Sequence, residues 1–159
     1  GIPVFLDAGP AMNIPLERLK GIFAISPNEA ETEALTGIAL NTEENIEKAA
    51  KWLYHAAEPK YVILKLGSRG AYLYDGTRKK LIPGYKVNAI DSTAAGDTFG
   101  AALVVQYCRG ASMEEAIRYG HAAAAICVTR EGGSSSVPTG EETAEFLEQK
   151  KRGVNENGD

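Results

Sequence analysis

Two periods of apolar residues alternate along this chain. Short, mostly apolar runs end at Gly, Pro or Asp and read as buried strands: Val4-Phe5-Leu6, Gly21-Ile22-Phe23-Ala24-Ile25 and Tyr61-Val62-Ile63-Leu64-Lys65-Leu66. Between them the pattern turns helical. Leu16–Lys20 fits one short helix, and Asn28 can cap another that Pro27 sets off from the preceding strand and Gly37 ends. From Thr42 to Ala57, Ile46, Ala49, Ala50 and Leu53 recur on one face. Strand, helix, strand without a hairpin turn predicts parallel pairing by right-handed crossovers. After Tyr61–Leu66 the signal changes, because Gly67-Ser68-Arg69-Gly70 and then Asp75-Gly76 join short runs directly, Ala71–Tyr74 to Lys79–Ile82. That predicts an antiparallel edge hairpin.

The second half reads as helices. Thr98 to Cys108 is apolar nearly all round and is expected to be central, with Gly100 and Ala101 allowing close packing. Ser112 and Glu115 make a capping box for a helix running through Ile117, Tyr119, His121 and Ala122–Ala125 to Val128. Its four consecutive alanines predict a tight interface with the helix before it. A Gly- and Ser-rich loop, 129–138, leads to a last amphipathic helix, Glu141–Lys151, with Ala144, Phe146 and Leu147 on its apolar side. The expected fold is α/β: a Rossmann-like, mainly parallel sheet flanked by helices, with an antiparallel edge hairpin. One compact domain over 1–152 and a disordered tail over 153–159 are expected.

Composition narrows the function. A net charge of −4 argues against a broad nucleic-acid surface. Hydrophobic residues make up 44% of the 159, ample for a core, yet no apolar run approaches a membrane span. Cys108 and Cys127 fall in predicted helices among apolar neighbours, so both are expected as buried free thiols. With Gly1–Asp7 lacking the basic flank of a signal peptide, a reducing, cytoplasmic compartment is expected.

The chemistry concentrates in Asp91-Ser92-Thr93-Ala94-Ala95-Gly96-Asp97. Ala94, Ala95 and Gly96 carry almost no side chain, so backbone N–H groups there can approach a ligand at the positive end of a helix. That makes an anion site. Asp97 is an acid where an anion site should repel one, which makes sense if it takes a proton from a hydroxyl attacking a bound phosphate. The plainer alternative is a polar helix cap with small residues for packing. Other segments carry similar alternatives. Asp7, at a strand end, is a turn residue or a substrate contact. Asn28 and Glu31 are a helix cap or part of a ligand site, since ligands of open α/β sheets gather at the strands' carboxyl ends. Gly67–Gly70 is an ordinary turn or a ligand contact, and is not a Walker A loop. His121 reads as a packed core histidine.

The Asp91–Asp97 segment resembles the D-[ST]-x-[AG]-[AG]-G-D motif of the ribokinase-like (PfkB) carbohydrate kinases, and the double Ala is closest to the ribokinase branch. Asn28 and Glu31 match that family's N-x-x-E motif, and Lys65–Gly70 its K/T-L-G-x-x-G turn. The resemblance runs from about Val4 to Lys151. It implies ATP-dependent phosphorylation of a sugar hydroxyl, with Asp97 as base and the N–H groups of Ala94, Ala95, Gly96 and Asp97 holding the phosphoryl group. It implies Mg²⁺ placed through water by Glu31 with Asn28, and a nucleotide lined by Lys65, Gly67, Ser68, Gly70 and His121. It also implies a monovalent cation, K⁺, at Asp91, Thr93, Cys127, Arg130, Gly132 and Ser136. The family's N-terminal sugar half has no counterpart here, so this is expected to be the C-terminal nucleotide half, pairing with the missing half or forming a homo-oligomer. Other acceptors (fructose, a nucleoside, a hydroxymethylpyrimidine) or a non-catalytic nucleotide-binding fragment remain open. A dinucleotide enzyme is disfavoured, because no G-x-G-x-x-G follows the first strand.

Overall fold

The computed structural model describes residues 1–10 and 14–156. The chain divides into two compact units, Gly1–Pro83 and Gly84–Asp159, where length alone led us to expect one.

The first unit is built on a five-stranded sheet in the order β1-β2-β3-β4-β5. Its strands are β1 (Phe5–Leu6), β2 (Ala24–Ile25), β3 (Tyr61–Lys65), β4 (Ala71–Tyr74) and β5 (Lys79–Ile82). The pairs β1–β2 and β2–β3 are parallel, whereas β3–β4 and β4–β5 are antiparallel, as the switch from helical to tight-turn connections predicted. The Asp75 carboxylate makes the second of those turns by accepting from the Thr77 and Arg78 N–H groups and the Thr77 hydroxyl. Helix α1 is Glu29–Thr36 and α2 is Glu43–Ala57. The expected face of α2, Ile46, Ala49, Ala50 and Leu53, packs with Ile25, Val62, Leu64 and Leu66 into one core. Alternation along the strands therefore sends Asp7 and Lys65 to the opposite face of the sheet. Lys79 and Lys80 mark β5 as a charged edge strand, and Lys79 pairs with Glu47 of α2.

The second unit holds helices α3 (Ala95–Cys108), α4 (Met113–Cys127) and α5 (Gly140–Glu156). The Ser112–Glu115 capping box forms as expected. Helix α3 departs from expectation. Only Thr98, Phe99, Gly100 and Leu103 are buried, while Ala101 and Val105 are exposed. Apolar composition was misleading here because α4 packs along a single face of α3. Gly120 of α4 lies tightly against Phe99, whereas Ala101 is exposed. Cys127 is buried as expected, but Cys108 at the end of α3 is exposed.

Thr139 and Glu142 form a second reciprocal cap at the start of α5. This helix buries Thr143, half-buries Phe146 and Leu147, and leaves Ala144 exposed. It continues to Glu156, into the expected tail, and residues 157–159 of that tail lie outside the described residues. Among the described residues no helix is long and apolar enough to cross a membrane.

Candidate functional site

In the second unit, the turn into α3 is set by Ala94, whose backbone is left-handed with φ 61° and ψ 6°. A β-carbon disfavours that conformation, so the turn is specified by its surroundings rather than by local preference. No side chain caps the helix. The Ala95 N–H donates to Ser92 O at 3.2 Å, which removes one of the four amides expected to face an anion. The next two, Gly96 and Asp97, have no acceptor among the described residues, as the first turn of a helix requires. The Asp97 side chain is exposed in that same first turn. An accessible carboxylate and two open N–H groups at a helix N-terminus are the parts of an anion site with a proton acceptor beside it.

Asp91 braces this turn. Its Oδ1 accepts from the Thr93 hydroxyl at 2.6 Å and the Thr93 N–H at 2.8 Å, and its Oδ2 accepts from the Gly132 N–H at 3.2 Å. The Thr93 hydroxyl, then the Thr93 and Gly132 N–H groups, hold the Asp91 carboxyl below the usual carboxylate range. The buried Cys127 thiol sits 3.6 Å from Thr93 O and 3.2 Å from the Ser136 hydroxyl, which donates to Gly133 O at 2.6 Å. Five of the six residues expected around a monovalent cation are thus linked: Asp91, Thr93, Cys127, Gly132 and Ser136. The sixth, Arg130, joins through its N–H to Cys127 O, and its guanidinium turns to Glu142 at 2.5 Å. One ionised carboxylate among carbonyl and hydroxyl oxygens is a donor set suited to a hard cation. No group of three or more His, Cys, Asp or Glu side chains among the described residues could hold a metal unaided.

His121 is buried on α4 with its ring tilted 32° to that of Phe99, 5.1 Å between centroids. It packs as a core histidine should.

In the first unit, Asn28 and Glu31 form a reciprocal capping box. Asn28 Oδ1 accepts from the Glu31 N–H at 2.9 Å, and Glu31 Oε2 accepts from the Asn28 N–H at 2.7 Å. The helix-cap reading of these residues is therefore realised. Glu31 is nonetheless buried, and its Oε1 has no hydrogen-bond partner among the described residues. Lys65, expected at a nucleotide, bonds Asp7 Oδ1 at 2.7 Å and lies 4.0 Å from Glu31 Oε2. Gly67, Ser68 and Gly70 form a one-turn 3-10 connection closed by the Gly70 N–H to Gly67 O, and Arg69 ties it to Glu29. Gly67 and Ser68 are exposed and Gly70 is buried, so two of the three are open to a ligand. Two neighbours went unflagged in the sequence. Ser26, at the end of β2, has a buried hydroxyl with no partner among the described residues. Gly9 lies directly against the Glu31 carboxylate.

A mixed sheet flanked by helices makes this an α/β fold. The sequence profile of the pfkB family carbohydrate kinases matches residues 1–140, and the chain belongs to that family. Among its relatives is a ribokinase of Haemophilus influenzae, 43% identical over 148 residues, which cover 93% of this chain and 48% of that protein. The crystal structure of a ribokinase from Thermotoga maritima matches 92% of this chain with a TM-score of 0.84 at 42% identity, over 49% of its own length. The structure of Arabidopsis thaliana ribokinase complexed with ribose and ATP matches 92% at a TM-score of 0.85 and 37% identity, over 47% of its length. The chain thus spans about half the length of the relatives it matches.

Proposed function

We propose that this chain is the C-terminal, nucleotide-binding half of a sugar kinase that transfers the terminal phosphoryl group of ATP to a sugar hydroxyl. The observation carrying the reading is the exposed Asp97 beside the open N–H groups of Gly96 and Asp97, within the stretch that the pfkB family profile matches. In this mechanism Asp97 accepts the proton of the attacking hydroxyl. The two amides, with that of Ala94, offset charge developing on the transferred phosphoryl oxygens. Ala95 contributes spacing and close approach rather than a hydrogen bond.

In the first unit the exposed Gly67 and Ser68, with the buried Gly70 behind them, are the residues that would serve nucleotide binding. In the second unit His121 carries the same proposed role by resemblance to the family. Asn28 and Glu31 are the residues that would help hold Mg²⁺. Mg²⁺, when bound, neutralises phosphate charge. Asp91 with oxygens of Thr93, Cys127, Arg130, Gly132 and Ser136 would hold K⁺. Ribose is the acceptor favoured by the relatives' names. Pairing with a substrate half, or with a second copy, is supported by exposed Ile2 and Val4 beside the edge strand β1.

The test is Asp97→Asn in the full-length kinase. ATP affinity should persist while kcat falls by about 10² to 10⁴, the contribution typical of a positioned general base. Turnover comparable to wild type would remove Asp97 from the mechanism.

A further inference from the structure

We infer that Asp7, Gly9 and Lys65 form a cradle fixing the Glu31 carboxylate, and that Lys65 is a positioning residue acting through Glu31 rather than a nucleotide contact. The inference rests on the proposal that Glu31 serves the metal and phosphates of a bound nucleotide.

A helix cap does not require this arrangement. Glutamine completes a capping box as well as glutamate, and such boxes need no third side chain. Here a lysine from β3, 34 positions further along the chain, reaches the same oxygen that makes the cap. The Lys65 side chain is only 13% exposed and that of Glu31 only 10%. Burying an ammonium costs desolvation, and ion pairs of this kind add little net stability, so stability alone does not account for the lysine. Its charge is shared. Asp7 holds it at 2.7 Å from one side, and Glu31 Oε2 lies at 4.0 Å on the other.

Gly9 supplies the remaining wall. A β-carbon there would lie 2.7 Å from Glu31 Oε1 and 3.6 Å from the carboxyl carbon, and nothing about the Gly9 backbone demands a left-handed conformation. Glycine is thus present for room, and the room is filled by one carboxylate oxygen. The Asn28 N–H and Lys65 approach Oε2, bare Cα surface confines Oε1, and Oε1 keeps its lone pairs for something outside the protein.

The experiment uses the full-length kinase with Lys65→Met, Lys65→Arg and Gly9→Ala, and measures ATP binding by calorimetry in Mg²⁺ and in EDTA. Lys65→Met and Gly9→Ala should weaken binding about tenfold in Mg²⁺, the lower end of the loss usual when the outer shell of a metal site is disturbed. In EDTA the change should stay within about twofold, a few tenths of a kcal/mol. Lys65→Arg should recover most of the loss. Equal weakening in both media would mean that Lys65 touches the nucleotide itself and would overturn the inference. No weakening in either would reduce the cluster to a structural pair. If Gly9→Ala does not fold, the two Lys65 variants decide alone. A wild-type protein that binds no ATP in either medium removes the underlying functional reading instead.

Discussion

A β-carbon placed on Gly120 would lie 2.8 Å from the carbonyl oxygen of Phe99 and 3.0 Å from its ring. Helices α3 and α4 therefore meet backbone to backbone at this point, at a residue of α3 only two positions after Asp97. Gly120→Ala gains helix propensity of about 1 kcal/mol but overpacks a backbone oxygen that cannot retreat, at a typical cost of about 1–3 kcal/mol. Net destabilisation is expected, read as a lower urea midpoint with an unchanged denaturant slope. A gain in stability would show that the two helices separate easily.

Ala94 makes the opposite prediction. Its left-handed backbone carries a cost of about 1–2 kcal/mol for a residue with a β-carbon. Ala94→Gly relieves this while raising unfolded-state entropy, so stability should hold or rise by up to about 1 kcal/mol. Ala94→Val should lose about 1–3 kcal/mol, since a branched side chain is strained there. Equilibrium unfolding of the three proteins checks the order Gly, Ala, Val. An Ala94→Gly variant less stable than wild type would contradict it.

Glu142 supplies a pH signature. The Arg130 guanidinium, followed by the Thr139 N–H, lowers its carboxyl to about 2. Because the folded value is depressed, the linkage favours the folded state above the unfolded carboxyl range near 4.3 and vanishes as pH falls through about 2. Both side chains are at least a third exposed, so the energy involved is small. The titration is the cleaner readout. Carboxyl-carbon NMR should place the Glu142 midpoint near 2, and Arg130→Ala should move it upward. An unmoved midpoint would mean the pair does not persist in solution.

Much of the architecture was legible because it rests on local chemistry. The caps at Asn28 and Ser112 and the Asp75 turn all depend on residues within four positions of one another. What escaped was set at long range. Lys65 looked like part of a ligand turn, yet its partners are Asp7 and Glu31, brought in by parallel pairing of strands distant in sequence. The apolar girth of α3 suggested burial on all sides, whereas only the face carrying Phe99 and Leu103 is covered. Cys108 was misjudged for the same reason, since apolar neighbours in sequence are not neighbours in space. The Thr139–Glu142 cap is a local pattern that could have been found, but the Gly140 between them masked the helix start.

The turn at Ala94 has one more consequence. Because its backbone is already bent when the chain folds, the amides of Gly96 and Asp97 face outward whether or not anything occupies the space before them. On the proposed reading, an arriving phosphate would find dipoles already in place, with little ordering cost for this segment. Association at that spot should be governed by diffusion and by what the anion itself must shed in water.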